Sequence, residues 1–222
     1  MTRRVAPALA LMSCSLLVLI VAMAGCGGGE PAPGPVTMNA ADMEAWEIAL
    51  VEWRIEKNEQ FMQAERSPLP ASLLGGFEGL DYYFPVAELR YRLPLTPAAA
   101  PDTVHLAKRK GDDVPYVVRG TVRFHHAGRD HELTVFGPAA AGQDYLWLPF
   151  HDTTNGGATY PGGRYLDLEL AADGTVEVDF NKAYNPLCAY DAERFNCTLP
   201  PAGNTLDIAI EAGEKLLAGA AH

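Results

Sequence analysis

Positive charge is scarce in this sequence, and so is cysteine. Its 222 residues hold 17 lysines and arginines against 28 aspartates and glutamates, for a formal net charge of −11. A nucleic-acid partner needs a basic face to meet phosphates, so that class of function is set aside. The same acidity argues against electrostatic docking on anionic lipid, so membrane contact would have to come from a covalent anchor. The four cysteines include no pair at the short C-x-x-C spacing of a zinc knuckle, and no metal site is expected. Gly156-Gly157 and Gly162-Gly163 do not lead from a strand into a helix, as a phosphate-cradling loop must. There is no G-x-S-x-G nucleophile elbow and no internal repeat. No cofactor is expected.

What is present begins with a targeting segment. Arg3 and Arg4 precede a nearly unbroken apolar run from Ala8 to Met23, followed by Ala24-Gly25-Cys26. That is the layout of a secretory signal over residues 1–25. Small residues directly before a cysteine resemble the bacterial lipobox, in which the cysteine is acylated and becomes the new N-terminus. Cys26 is therefore the expected lipidation site, with palmitate-type chains as the membrane partner. An ordinary signal with an unrelated cysteine, or an uncleaved anchor helix, would draw on the same run. Gly25-Cys26-Gly27-Gly28-Gly29 favours processing. Export with a lipid anchor places the protein on the cell envelope of a bacterium. Gly27, rather than aspartate, after the lipidated residue points to the outer membrane where there is one.

Processing would remove Arg3 and Arg4 and no acid, taking the net charge from −11 to −13. The 222 residues less the first 25 leave 197, enough for one sizeable core, and a monomer is expected. Residues 26–38, containing GGGEPAPGPVT, read as a Gly/Pro tether with nothing to bury. With Cys14 removed and Cys26 acylated, Cys188 and Cys197 remain. An even pair in an oxidising compartment reads as a disulfide.

Residues 39–222 read as one domain. Met43, Trp46, Leu50, Trp53 and Phe61 recur at helical steps and predict an amphipathic helix over about 40–64, ended by Ser67-Pro68-Leu69-Pro70. From Glu88 the period changes to two. Leu89-Tyr91-Leu93, Val118-Gly120-Val122-Phe124, Leu133-Val135, Leu146-Leu148-Phe150, Leu166-Leu168-Leu170, Val176-Val178-Phe180 and Leu206-Ile208-Ile210 each alternate with mostly polar residues. Such runs are half-buried strands, separated here by turn signals such as Asp173-Gly174. Pro97–Asp102 and Gly111-Asp112-Asp113 read as loops. The expected fold is mainly β: a single antiparallel sandwich or barrel-like domain with the N-terminal helix packed on it.

Functional groups concentrate between Phe150 and Asn204. Asp152, Thr159, Tyr160, Arg164, Tyr165, Asp179, Asn181, Lys182, Tyr184 and Asn185 fall there as ligand-binding candidates. Loops so rich in hydrogen-bonding groups either fix an irregular fold or hold a ligand. Arg164, flanked by glycines, offers a planar fork for a carboxylate or phosphate, or for an internal pair with Asp152 or Asp179. Two function classes are open. One is a non-catalytic binding or scaffolding domain for a small anionic or sugar-like ligand. The other is a hydrolase using Asp152 and Asp179, with His151 as a further group. A Cys188–His151 nucleophilic pair stands against the disulfide. His125, His126 and His131 flank a hairpin turn and read as exposed turn residues rather than metal ligands.

The motifs resemble a known family. Phe150-x-Asp152-x-Thr154-x-Gly156, Thr159-Tyr160, Gly163-Arg164-Tyr165 and Asp179-Phe180-Asn181-x-Ala183-Tyr184-Asn185-Pro186-x-Cys188 recur in the bacterial family called domain of unknown function 1684. So do Cys197-x-x-Pro200-Pro201-x-x-Asn204 and Ala212-Gly213-Glu214-Lys215, together with Trp53-Arg54, Phe61 and Phe77-x-Gly79-Leu80. The resemblance spans about residues 45–216 and implies no activity, since none is assigned to the family. Some members lack an export signal, which implies that the domain also works in the cytosol. Pro161 departs from the family pattern, which has a small flexible residue after Tyr160.

Overall fold

The computed structural model describes residues 31–63, 65–140 and 145–218. The signal-like run and Cys26 lie outside the described residues. Helix α1 spans Ala40–Met62 and opens on Asn39, whose Oδ1 accepts from the backbone N–H of Ala41 (2.9 Å) and Asp42 (3.0 Å). Trp46, Leu50 and Phe61 are buried, and Met43 and Trp53 are half-buried, so the helical stripe faces the domain. No helix among the described residues is long and apolar enough to cross a membrane.

Beyond the one-turn helix α2 (Ala71–Leu74), the described residues form seven strands: β1 (Arg90–Pro94), β2 (Thr96–Leu106), β3 (Val114–His126), β4 (Arg129–Pro138), β5 (Leu146–Phe150), β6 (Arg164–Leu168) and β7 (Thr175–Asp179). Their pairings are all antiparallel. One sheet has the order β2-β3-β4-β5-β6; the other is the ribbon β1-β7. The two face each other across one core: Tyr91 and Leu93 of β1 and Val176 and Val178 of β7 meet Val122, Phe124, Leu133, Val135, Leu148, Phe150, Leu166 and Leu168. The chain crosses from the ribbon to the larger sheet at Leu95 and returns through the Asp173-Gly174 turn, and the barrel is not closed.

Three local expectations are corrected. Thr96–Leu106, read in part as a loop, is a strand, because proline is tolerated on an edge and the register slips between Pro97 and Asp102. Leu206–Ile210, read as a strand, is irregular. Leu206 and Ile210 are buried, but the segment bonds to a loop: Leu206 N–H donates to His151 O (2.8 Å) and Ile208 O accepts from Thr153 N–H (3.1 Å). Alternation reported its burial, not its pairing. Pro31–Thr37, read as tether, is seated on the sheets. Val36 N–H donates to Arg90 O (2.8 Å), Pro33 O accepts from His125 N–H (2.8 Å), and Ala32 is buried.

A β-bulge gives the larger sheet its second buried face. Val118 lies opposite Phe136 and Gly120 opposite Val135, so Arg119 is the extra residue. A side chain at Gly120 would collide with the Thr96 carbonyl. The slip inverts the alternation of β3: Val122 and Phe124 face the main core, while Tyr116 and Val118 join a second, aromatic cluster with Trp147 and Tyr165.

Candidate functional site

The motif residues divide into two internal latches and one open cavity. The first latch centres on Arg164, whose side chain, like that of Asp152, is 0% exposed. Its guanidinium donates to Asp152 Oδ2 and to Ile210 O, both at 2.7 Å, and to the carbonyls of Ala212 and Glu214. The other oxygen of Asp152 accepts from Thr154 N–H (2.8 Å), Thr154 Oγ1 (2.6 Å) and Ile210 N–H (3.3 Å). Thr159 is buried beside them, its hydroxyl 2.8 Å from that of Thr154. Arg164 thus ties the irregular C-terminal segment to β6 and offers no free face to an anionic ligand. The turn before it accommodates Pro161: Gly163 N–H closes on Tyr160 O (3.1 Å), placing proline at the second turn position, which its fixed φ suits. Gly163 is required there, with φ +85° and Pro200 Cγ and Phe150 O only 2.6 and 2.7 Å from where a Cβ would sit.

The second latch holds α1. Asp179 Oδ2 accepts from the Trp46 indole N–H (2.9 Å), and Oδ1 accepts from Asn181 N–H (3.0 Å) and Asn181 Nδ2 (2.8 Å). Asn181 in turn exchanges hydrogen bonds with the Val86 backbone. Lys57 of α1 pairs with buried Glu214 at 2.5 Å, whose Oε2 accepts from Asn185 N–H (2.8 Å) and the Tyr190 hydroxyl (2.6 Å). Burial, then the Glu214 charge, holds the Tyr190 hydroxyl well above its ordinary pKa. Asn185 donates onward to Lys215 O (2.8 Å). Lys182 is half-buried on the rim of a polar groove with Arg92, Glu177 and Asp167.

These positions do not assemble the hydrolytic pair that the sequence offered as an alternative. Asp152 and Asp179 are buried in different latches, and the oxygens of both are occupied by internal donors. His151 joins Asn204 and Leu206 through its backbone. Cys188 and Cys197 form a disulfide, which closes off the thiol nucleophile; Tyr160 packs against Cys188. His131, expected in an exposed turn, is buried and stacked on Phe124 at 5.2 Å. His126 Nδ1 meets the Tyr91 hydroxyl (2.8 Å), and His125 Nδ1 meets Asp130 (2.7 Å). Burial lowers the pKa of His126, and His131 and His125 add to the effect. Among the described residues no group of three acidic, His or Cys side chains could hold a metal.

Tyr165 and Tyr184 do meet, in a cavity of about 710 Å³ on the far face of the larger sheet. Tyr116 stacks on Trp147 (4.8 Å, 25°), Trp147 meets Tyr165 edge-on (4.9 Å, 74°), and Tyr165 meets Tyr184 likewise (5.8 Å, 87°). The disulfide loop supplies the facing wall through Phe195, Asn196 and Thr198, and the Tyr165 hydroxyl donates to Thr198 O. Among the described residues Asp167 is the one charged residue of the lining. Both its oxygens accept from the Tyr184 hydroxyl at 3.0 Å, and its pKa is raised by desolvation, against the opposing pull of that bond and of Lys57. Desolvation likewise drives both tyrosine hydroxyls far above their usual range.

Sequence reasoning missed Asp167, Trp147 and Tyr116. Asp167 sits between two core leucines, as any solvent-facing strand residue would. The usable signal was aromatic: Trp147 and Tyr165 occupy positions that alternation assigns to solvent, which implies a covered second face.

Comparison with known proteins places this architecture among relatives without an assigned activity. The family described as "Protein of unknown function (DUF1684)" matches residues 75–215. The solution NMR structure of an uncharacterised protein from Haloarcula marismortui is similar, with 36% identity and a TM-score of 0.63, over 80% of this chain and 97% of that one. No protein with a curated description matches.

Proposed function

The chain belongs to the DUF1684 family of proteins of unknown function, and from that premise we propose that it is a non-catalytic binding module of the bacterial cell envelope. Its anchor is lipid on Cys26, and its ligand enters the aromatic cavity beneath the disulfide loop. The observation that carries the reading is the cavity itself: about 710 Å³, floored by Trp147, Tyr116 and Tyr165. That volume falls within the range of small-molecule sites, which are mostly apolar with a few placed polar groups. Such aromatic rings suit a ligand that lays a C–H-rich face against them, as a sugar ring does. An anionic ligand has lost its support, because Arg164 is sealed and the lining carries a carboxylate instead.

The anchor reading rests on Ala24-Gly25-Cys26 and on the excess of acid, which leaves a covalent lipid as the means of membrane contact. Gly27 suits an outer membrane where the organism has one. The module acts as a monomer. The test is native mass spectrometry of the full chain extracted from its own membranes. A copurifying small molecule that is lost in Trp147→Ala supports the cavity. A wild-type protein that carries nothing, and whose melting temperature no extract of small molecules shifts, refutes it. Cys26→Ala is expected to move the protein from the membrane pellet to the soluble fraction; pelleting in high salt would refute the lipid.

A further inference from the structure

The cavity's rings are arranged around a carboxylate that has no cation of its own. Asp167 forms no ion pair among the described residues, and the hydrogen bond it accepts there comes from the neutral Tyr184 hydroxyl. Lys57 acts on it through space, but its ammonium is committed to Glu214 at 2.5 Å; Arg92 and Lys182 line an adjoining groove that Asp167 shares, and neither forms an ion pair with it. The cavity therefore holds one negative charge, on a side chain that keeps its access to solvent while partial desolvation among the rings raises its pKa. Two features make this charge a means of recognition. Aromatic faces are electron-rich, and they attract ammonium groups most strongly where water is displaced. The molecule already uses one of these rings in that way: Lys57 Nζ lies 4.5 Å over the centroid of Tyr184.

We infer that the cavity selects a small organic cation, an alkylated ammonium whose methyl or methylene groups pack on Trp147, Tyr116 and Tyr165 while its charge faces Asp167. The inference rests on the cavity being the binding site and adds the class of its occupant. Rings alone would hold any molecule with an apolar face; the unpaired carboxylate beside them adds a preference for positive charge. An anion would have to face that carboxylate with no cation of the lining to offset it. A neutral sugar would stack but leave the carboxylate as it is.

The test compares three probes on the full chain in a polyoxyethylene detergent, by calorimetric titration and indole fluorescence. The first is choline. The second is its neutral isostere, in which carbon replaces the quaternary nitrogen, and the third is glucose. Choline should bind at least about tenfold more tightly than the isostere, the ratio that ~1.4 kcal/mol of charge recognition produces. Asp167→Asn should erase that ratio. Asp167 points away from the main core, so a thermal melt will establish that the variant folds, and the wild-type comparison decides the matter without it. Equal affinity for choline and isostere overturns the charge assignment and leaves the cavity as a binding site. Preference for glucose overturns it in favour of a neutral ligand. No response to any probe also overturns it, and the copurification experiment then judges the cavity separately.

Discussion

Arg164→Ala is the sharpest probe of how this domain holds together. The guanidinium is fully buried and donates to Asp152 and to the carbonyls of Ile210, Ala212 and Glu214. Its removal leaves a buried carboxylate without its cation and three carbonyls without that donor. Breaking one side of a buried pair costs about 3–5 kcal/mol. In a domain of this size each kcal/mol moves the melting temperature by roughly 2–4 °C, so a fall of about 6–20 °C is expected. Arg164→Lys keeps the charge for Asp152 but cannot span the carbonyls of Ile210 and Ala212, so it should fall by less. Arg164→Met with Asp152→Ala removes both charges together and should lose less than the sum of the single changes, because no buried charge is stranded. The assay is thermal unfolding by circular dichroism, with urea midpoints as a second measure. A loss below about 1 kcal/mol for Arg164→Ala, the worth of an exposed pair, would refute the latch.

Three other outcomes are expected. Reducing Cys188–Cys197, nine residues apart in sequence, should cost about 2–3 kcal/mol by chain entropy and weaken any ligand held by the disulfide loop; an unchanged melting curve under reductant would contradict this. Trp46→Phe deprives buried Asp179 of the indole donor and should lower the urea-derived stability by about 1–3 kcal/mol, with no loss counting against the α1 latch. Asp167 has a folded-state pKa raised above 3.8, so the folded protein binds its proton more tightly than the unfolded chain, and stability falls as pH rises through the raised value. Asp167→Asn should therefore be slightly more stable than wild type at neutral pH, by under about 1 kcal/mol for so accessible a group, and the gap should close below pH 3.8; a gap that widens in acid would reverse the sign.

Hydrophobic period is a statement about burial, and it served the sequence well where burial and pairing coincide. α1 and strands β1, β3, β4, β5, β6 and β7 were legible for that reason, since each carries an inward row such as Tyr91-Leu93 or Leu148-Phe150. It misled where they part. Leu206–Ile210 is buried yet unpaired as a strand, and Thr96–Leu106 is paired despite its prolines. The slip at Gly120 was invisible because glycine fits either face. The dense polar motifs were readable as a cluster, but their residues stabilise loops and dock α1. Composition cannot distinguish a carboxylate that accepts from Trp46 from one that waits for a substrate. The cavity was hidden for the opposite reason: its carboxylate looked like ordinary surface.

The seating of Pro31–Val36 on β1 and β3 sets a mechanical limit on the proposed anchor. If Cys26 carries the lipid, five peptide steps reach Pro31, about 18 Å at full stretch. That leash is shorter than the body it restrains, whose radius of gyration alone is about 16 Å by the usual scaling with length. The domain could not roll freely. The ends of β1 and β3 near Arg90 and His125 would stay close to the bilayer. Any pull between membrane and domain would be borne first by the hydrogen bonds that Ala32, Pro33 and Val36 make there.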